Sequence, residues 1–335
     1  MSISVAVALL SMGCAEDAAT TSSVTTGGQS SGGSGSGGGS GGSGGGGGSG
    51  GSGGGSGGSG ATGGAGAPEW IWGVTIDATE PLPDITAALG KHAKKPTTRI
   101  VFDELVPASD YQASATAIHG VSFVMGELLD SFYVSQYAPA DYVKRAEEYV
   151  SLLGPVVDIW EIGNEINGEW LCGQQASSCS PAQTAEVVAK IEGAFDVVQK
   201  AGGKTALTLY LNQDCWSSPD NEMFTWASKN VPNQLRQELD YVFVSYYEDD
   251  CNDLQPDWPA VFAQLAALFP NSKLGIGECG TAQVAKKAEW VERYYTLKLP
   301  EPRFVGGSFW WYYRQDMVPH SEPLWGVLDG IMAAP

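Results

Sequence analysis

Eight short runs rich in apolar, β-branched and aromatic residues recur from Trp70 onward, and they constrain the fold more than any other feature of the chain. They are "WIWGVTID" (70–77), "TTRIVFDE" (97–104), "VSFVMGELLD" (121–130), "VVDIWEIGNE" (156–165), "KTALTLYLN" (204–212), "YVFVSYYE" (241–248), "KLGIGECG" (273–280) and "FVGGSFWWYY" (304–313). Runs of this length and composition read as strands. Between several of them apolar residues recur every three or four positions, the period of a helix with one buried face. The spacing predicts helices over Pro139–Leu153, Pro181–Ala201, Trp258–Phe269 and Ala282–Lys298. Ser180 is placed to cap the second of these, with Pro181 at its first position. Eight strand-then-helix units in roughly 245 residues predict a single α/β domain, a closed (β/α)8 TIM barrel. An open doubly wound sheet would more often hold fewer strands, with a phosphate loop after the first.

The barrel is expected over 68–335, because the chain before it has a different character. "ISVAVALLSMG" (Ile3–Gly13) is apolar but too short to span a bilayer, and it resembles the core of a secretory signal. "SMGC" then makes 1–14 a lipoprotein-type segment with Cys14 as the lipidated residue, although no Lys or Arg precedes the run. Residues 15–67 read as a Gly/Ser-rich linker, almost pure Gly and Ser from Gly27 to Gly66. Such a stretch cannot bury enough apolar area to offset ordering, so it is expected to be disordered, with a mean reach of about 35 Å. These features predict an exported protein, secreted or held at a bacterial envelope. A lipid anchor at Cys14 would be its one membrane contact, and the barrel is expected to be a monomer.

The charge balance narrows the partners. With 18 Lys and Arg against 38 Asp and Glu, the net charge is −20 and no basic cluster exists. That argues against nucleic acid and anionic membrane surfaces and is compatible with a neutral ligand. One of the six cysteines is Cys14. Cys172 with Cys179, and Cys215 with Cys251, are plausible disulfides of an exported chain, which leaves Cys279 as a free thiol. The three histidines, His92, His119 and His320, stand in no metal-binding spacing, and no CxxC occurs. No metal and no cofactor is expected.

A barrel of this kind places its chemistry at the C-terminal ends of the strands. The polar residues gather there: Asp77, Asp103 and Glu104, Glu127, Asn164 and Glu165, Asn212, Tyr246 and Tyr247, Glu278, Trp310 and Trp311. In the fourth run Glu161, Gly163 and Glu165 share one face by strand alternation, with Glu165 at the mouth and Glu161 deeper. Glu278 ends the seventh run between glycines that permit close approach. Strands four and seven lie on roughly opposite sides of an eight-stranded mouth. Two carboxyls facing across a pocket are what glycosidic bond cleavage uses: one protonates the leaving oxygen, the other attacks or activates water.

"WEIGNE" with Asn164-Glu165, followed by "GIGECG" with Glu278, resembles the retaining glycoside hydrolases of clan A. The resemblance runs in strand order over the whole domain, while its specific motifs cover a few short segments. It implies a β-glycan substrate, with Glu165 as general acid/base and Glu278 as nucleophile. It further implies that Asn164 bonds the sugar's 2-hydroxyl and that Tyr246 or Tyr247 orients the nucleophile. Trp310 or Trp311 would form the sugar-stacking floor, and Arg99 would support the nucleophile. The chain departs from the clan pattern in lacking a histidine on the third or sixth strand, where Glu127 or Asp130 could supply the polar contact. Rival readings are a catalytically silent glycan-binding barrel and a transglycosylase using the same residues. "GIGECG" also satisfies GxGxxG, but on the seventh strand rather than the first, where a dinucleotide fingerprint would stand.

Overall fold

A computed structural model describes residues 69–213 and 215–334. The expected segments 1–14 and 15–67, with Cys14, lie outside the described residues. Eight parallel strands close into a barrel in chain order: β1 (Ile71–Ile76), β2 (Thr97–Val101), β3 (Phe123–Glu127), β4 (Ile159–Gly163), β5 (Thr205–Tyr210), β6 (Tyr241–Ser245), β7 (Lys273–Glu278) and β8 (Phe304–Trp310). The described helices are α1 (Leu82–Gly90), α2 (Ala108–His119), α3 (Pro139–Leu153), α4 (Pro181–Lys200), α5 (Met223–Asn230), α6 (Asn233–Glu238), α7 (Trp258–Leu268), α8 (Lys287–Tyr295), α9 (Tyr313–Met317) and α10 (Pro323–Ala333). None is long and apolar enough to cross a membrane.

Two apolar layers follow from strand alternation. Outward-facing residues such as Val74, Ile100, Trp160, Leu207, Val242 and Ile276 pack against the helices. Inward-facing Ile71, Met125, Ile159, Ala206, Tyr241, Phe243, Val305 and Phe309 fill the barrel's interior. Burial of side chains this size stabilises by about 1.5–3 kcal/mol each relative to exposure. Helix starts are secured locally. Ser180 and Gln183 form a reciprocal capping box at the head of α4, satisfying two N–H groups that the helix leaves unpaired. Arg145 of α3 is buried and donates to the carbonyls of Phe102, Asp103, Val106 and Leu128, which ties the ends of β2 and β3 to the helix layer.

Alternation is interrupted where it matters for the mouth. Ser245 of β6 pairs with Glu278 while Val244 pairs with Ile276, so β7 carries one extra residue at Gly277. A bulge of that kind shifts the side-chain phase by one. Leu274 and Ile276 face outward, and unbroken alternation would send Glu278 outward with them; the extra residue turns it in. A similar shift lies in β4 between Glu161 and Gly163, and another in β8 after Gly307. The loops on one side of the rim are cross-linked. Cys172–Cys179 closes the connection after β4, and Cys215–Cys251 joins the loops after β5 and β6. Both expected disulfides are present, and Cys279 is a buried free thiol.

Candidate active site

Beneath the mouth lies a polar layer built on Arg99. This residue occupies an inward position of β2 and is fully buried. Its Nε donates to Glu161 Oε2 at 2.6 Å, while Nη2 lies 3.0 Å from Glu127 Oε2 and 2.8 Å from Glu278 Oε1. The two Nη2 contacts are ion pairs without hydrogen-bond alignment, so neither oxygen of Glu127 accepts a bond. Glu161 accepts a second bond from the Thr208 hydroxyl. One guanidinium therefore serves three buried carboxyls. All three cannot ionise cheaply away from water, because unpaired buried charge costs several kcal/mol. Glu127 is the one with least compensation, and burial, opposed by Arg99, pushes its carboxyl well above the usual range.

Glu278 and Glu165 meet different surroundings. Glu278 touches Arg99 and accepts a hydrogen bond from the Tyr247 hydroxyl at 2.7 Å. Burial raises its pKa to about 7, against the opposing pull of Arg99 and Tyr247. Glu165 sits at φ 47° just past β4, a left-handed conformation uncommon for a residue other than glycine. Among the described residues no Lys, Arg or His forms an ion pair with it. Its Oε1 accepts from Ser245 at 2.6 Å and its Oε2 from Ser131 at 3.1 Å. Burial first, and then the charge of Glu278, raise its pKa well above the ordinary value. Of the two, Glu165 holds its proton more tightly, and Glu278 is the one whose ionised form has a cation and a phenol to favour it.

The remaining site candidates separate by the face they occupy. Tyr241, Phe243, Ser245 and Tyr247 share the inward phase of β6 and its extension. Tyr246 points the other way, stacks edge-on against Trp258 and donates its hydroxyl to the Leu254 carbonyl. Trp310 likewise faces the helices and donates its indole N–H to Asp316, whereas the Trp311 ring lies 5.7 Å from the Arg99 guanidinium. Asn164 is buried with its amide oxygen unpaired. Asn167 clamps the loop after β4 to the end of β5, exchanging hydrogen bonds with Tyr210 and Asn221. Other strand-end acids are engaged elsewhere: Asp77 with Arg314 and Gln315, Asp103 with Tyr111, and Asp130 with the Phe132 N–H. Ser131 and Ser245 were not foreseen from sequence, although β6 alternation places Ser245 beside Tyr247. Among the described residues no group of three or more His, Cys, Asp or Glu side chains could hold a metal ion.

No protein-family model and no curated protein matches this chain. Solved structures do. A Glu-to-Gln mutant of Saccharomyces cerevisiae Gas2p in complex with laminaritetraose and laminaripentaose is 11% identical at a TM-score of 0.50, covering 79% of this chain and 63% of that one. The fold is shared. Gas2p in complex with laminaritriose and laminaritetraose gives 12% identity and 0.47, covering 79% and 64%. The Ignisphaera aggregans GH53 catalytic domain gives 14% and 0.47, covering 74% and 86%. This chain thus spans less than two thirds of the length of the Gas2p chains it matches.

Proposed function

We propose that the protein is a retaining β-glycosidase that cleaves O-glycosidic bonds of a neutral β-linked poly- or oligosaccharide by double displacement. One observation carries this reading: two buried carboxyls at the ends of β4 and β7 have opposite support, Glu278 with a guanidinium and a phenol, Glu165 with two neutral hydroxyls. A retaining mechanism needs that inequality, an ionised nucleophile and a protonated acid. Glu278 attacks the anomeric carbon while Glu165 protonates the departing oxygen. Glu165, now ionised, then takes a proton from the water that displaces Glu278 from the glycosyl-enzyme. The unpaired amide oxygen of Asn164 is suited to accept from a sugar hydroxyl, and the ring of Trp311 to the C–H face of a sugar. The laminaritetraose and laminaripentaose in the Gas2p complex of TM-score 0.50 make laminari-oligosaccharides the first substrates to try. Export fits the two disulfides.

Glu278→Gln removes the nucleophile at nearly constant volume. Turnover of such oligomers should fall by at least about 10³-fold with unchanged thermal unfolding. Proton NMR of the first product should show the substrate's own anomeric configuration. Unaltered turnover in the variant, or an inverted product, would end the proposal.

A further inference from the structure

The two serines that hold Glu165 are not equivalent. The Ser245 hydroxyl is fully buried, and its bond to Glu165 is not backed by a further donor. Ser131 Oγ, in contrast, itself accepts the indole N–H of Trp170 at 2.9 Å. Trp170 stands in a short 3-10 turn, Glu169–Cys172, five residues beyond Glu165. Its ring lies over Gly168, where a Cβ would come within 2.4 Å of the indole, and meets Tyr210 edge-on at 5.4 Å. The turn is pinned on both sides. Cys172 is bonded to Cys179, and the Glu169 carboxylate accepts the N–H groups of Ser217 and Ser218. The indole N–H is therefore fixed in direction.

We infer that Trp170 is a positioning residue for Glu165 and acts through Ser131. A hydroxyl has one proton and two lone pairs. With one lone pair filled by Trp170, the Ser131 proton is committed to Glu165 Oε2. That fixes the plane of the carboxyl and favours its ionised form, because a donor to a carboxylate stabilises the charge. Chains of hydrogen bonds also strengthen one another by polarisation. The inference rests on the reading of Glu165 as acid/base. The titratable groups that face Glu165 are Glu278 from β7, Asp130 from the loop after β3, Tyr210 from β5 and Tyr247 after β6. The substitutions below alter none of them.

The test is a pH–rate profile of kcat/KM for the wild type, Trp170→Phe, Ser131→Ala and the double variant, on an aryl β-glycoside or oligosaccharide that the wild type turns over. Each single variant loses a bond that favours ionised Glu165, so the basic limb should move upward by about 0.5–1 pH unit. The double variant should match Ser131→Ala, because Trp170 has no other route to the carboxyl. Gly168→Ala, which displaces the ring, should reproduce the Trp170→Phe shift. An unmoved basic limb with a raised KM would make Trp170 a substrate contact and overturn the inference, as would additive shifts in the double variant. A separate arm tests the underlying reading. Glu165→Ala should retain glycosylation by a dinitrophenyl glycoside and yield the β-glycosyl azide when azide is added. Without that product Glu165 is not the acid/base, whatever the Trp170 variants do.

Discussion

Tyr247 and Glu127 bear on the buried polar layer in different ways. The Tyr247 hydroxyl donates to Glu278 and holds its pKa down, so Tyr247→Phe should move the acid limb of the pH–rate profile upward. It should also lower kcat by about 10–10³-fold, the range for loss of one well-placed donor. Glu127 is a stability matter. Its carboxyl is pushed well above the unfolded value near 4.3, so the folded chain holds that proton more tightly than the unfolded chain does. The associated stability is fully present below the unfolded pKa and is lost as pH rises toward the folded one. Glu127→Gln removes the titration. Thermal unfolding should therefore show the variant gaining on the wild type between pH 5 and pH 8, by about 1–2 kcal/mol at the upper end; a constant difference would refute this. At this scale the sequence was legible to within a neighbour. It singled out Arg99, Asn164, Glu165 and Glu278, but it offered Tyr246 beside Tyr247 and Trp310 beside Trp311. Inward alternation from Tyr241 and Phe243 selects Tyr247, a signal present in "YVFVSYY". Ser131 carried no such signal, because its loop position depends on where Asp130 starts a 3-10 turn.

Among the elements, β8 is the most exacting. Gly306, Gly307 and Ser308 all have positive φ, and a Cβ on Gly307 would lie 2.2 Å from the Ile276 carbonyl oxygen of β7. Gly307→Ala should destabilise the barrel by about 2–4 kcal/mol, since overpacking and a left-handed backbone add. Gly326→Ala in α10 meets open space and should be neutral or stabilising by about 0.5–1 kcal/mol, because alanine suits a helix better. Urea unfolding of the two side by side tests the contrast. All eight strands were legible from their spacing, and so was α4 with its cap. The bulges were not, because pairing between distant strands decides where an extra residue fits. The expected helix over Ala282–Lys298 is shorter in the structure, where α8 runs Lys287–Tyr295. A 3-10 turn, Val284–Lys286, precedes it, and Thr281 and Gln283 donate to Asp249 instead of extending the α-helix. Helices as short as α6 cannot display a period at all.

Across the whole molecule, charge and the rim loops set what can approach. A net charge of −20 disfavours the approach of anionic chains within about a Debye length. A polyuronate of the same linkage should show kcat/KM at least about 10-fold below that of the neutral glycan at low salt, with the gap narrowing at high ionic strength. Equal rates at low salt would contradict this. The disulfides divide the same rim unequally. Both lie after β4, β5 and β6, while the loops after β1, β2, β7 and β8 carry none. A search for altered specificity by mutation therefore meets two different terrains. Insertions and length changes on the unlinked side leave every cross-link intact and can be sampled freely. On the linked side each change must also preserve the pairing of cysteines during oxidative folding. Diversity among descendants of this chain is expected to accumulate on the half of the mouth that carries Glu278.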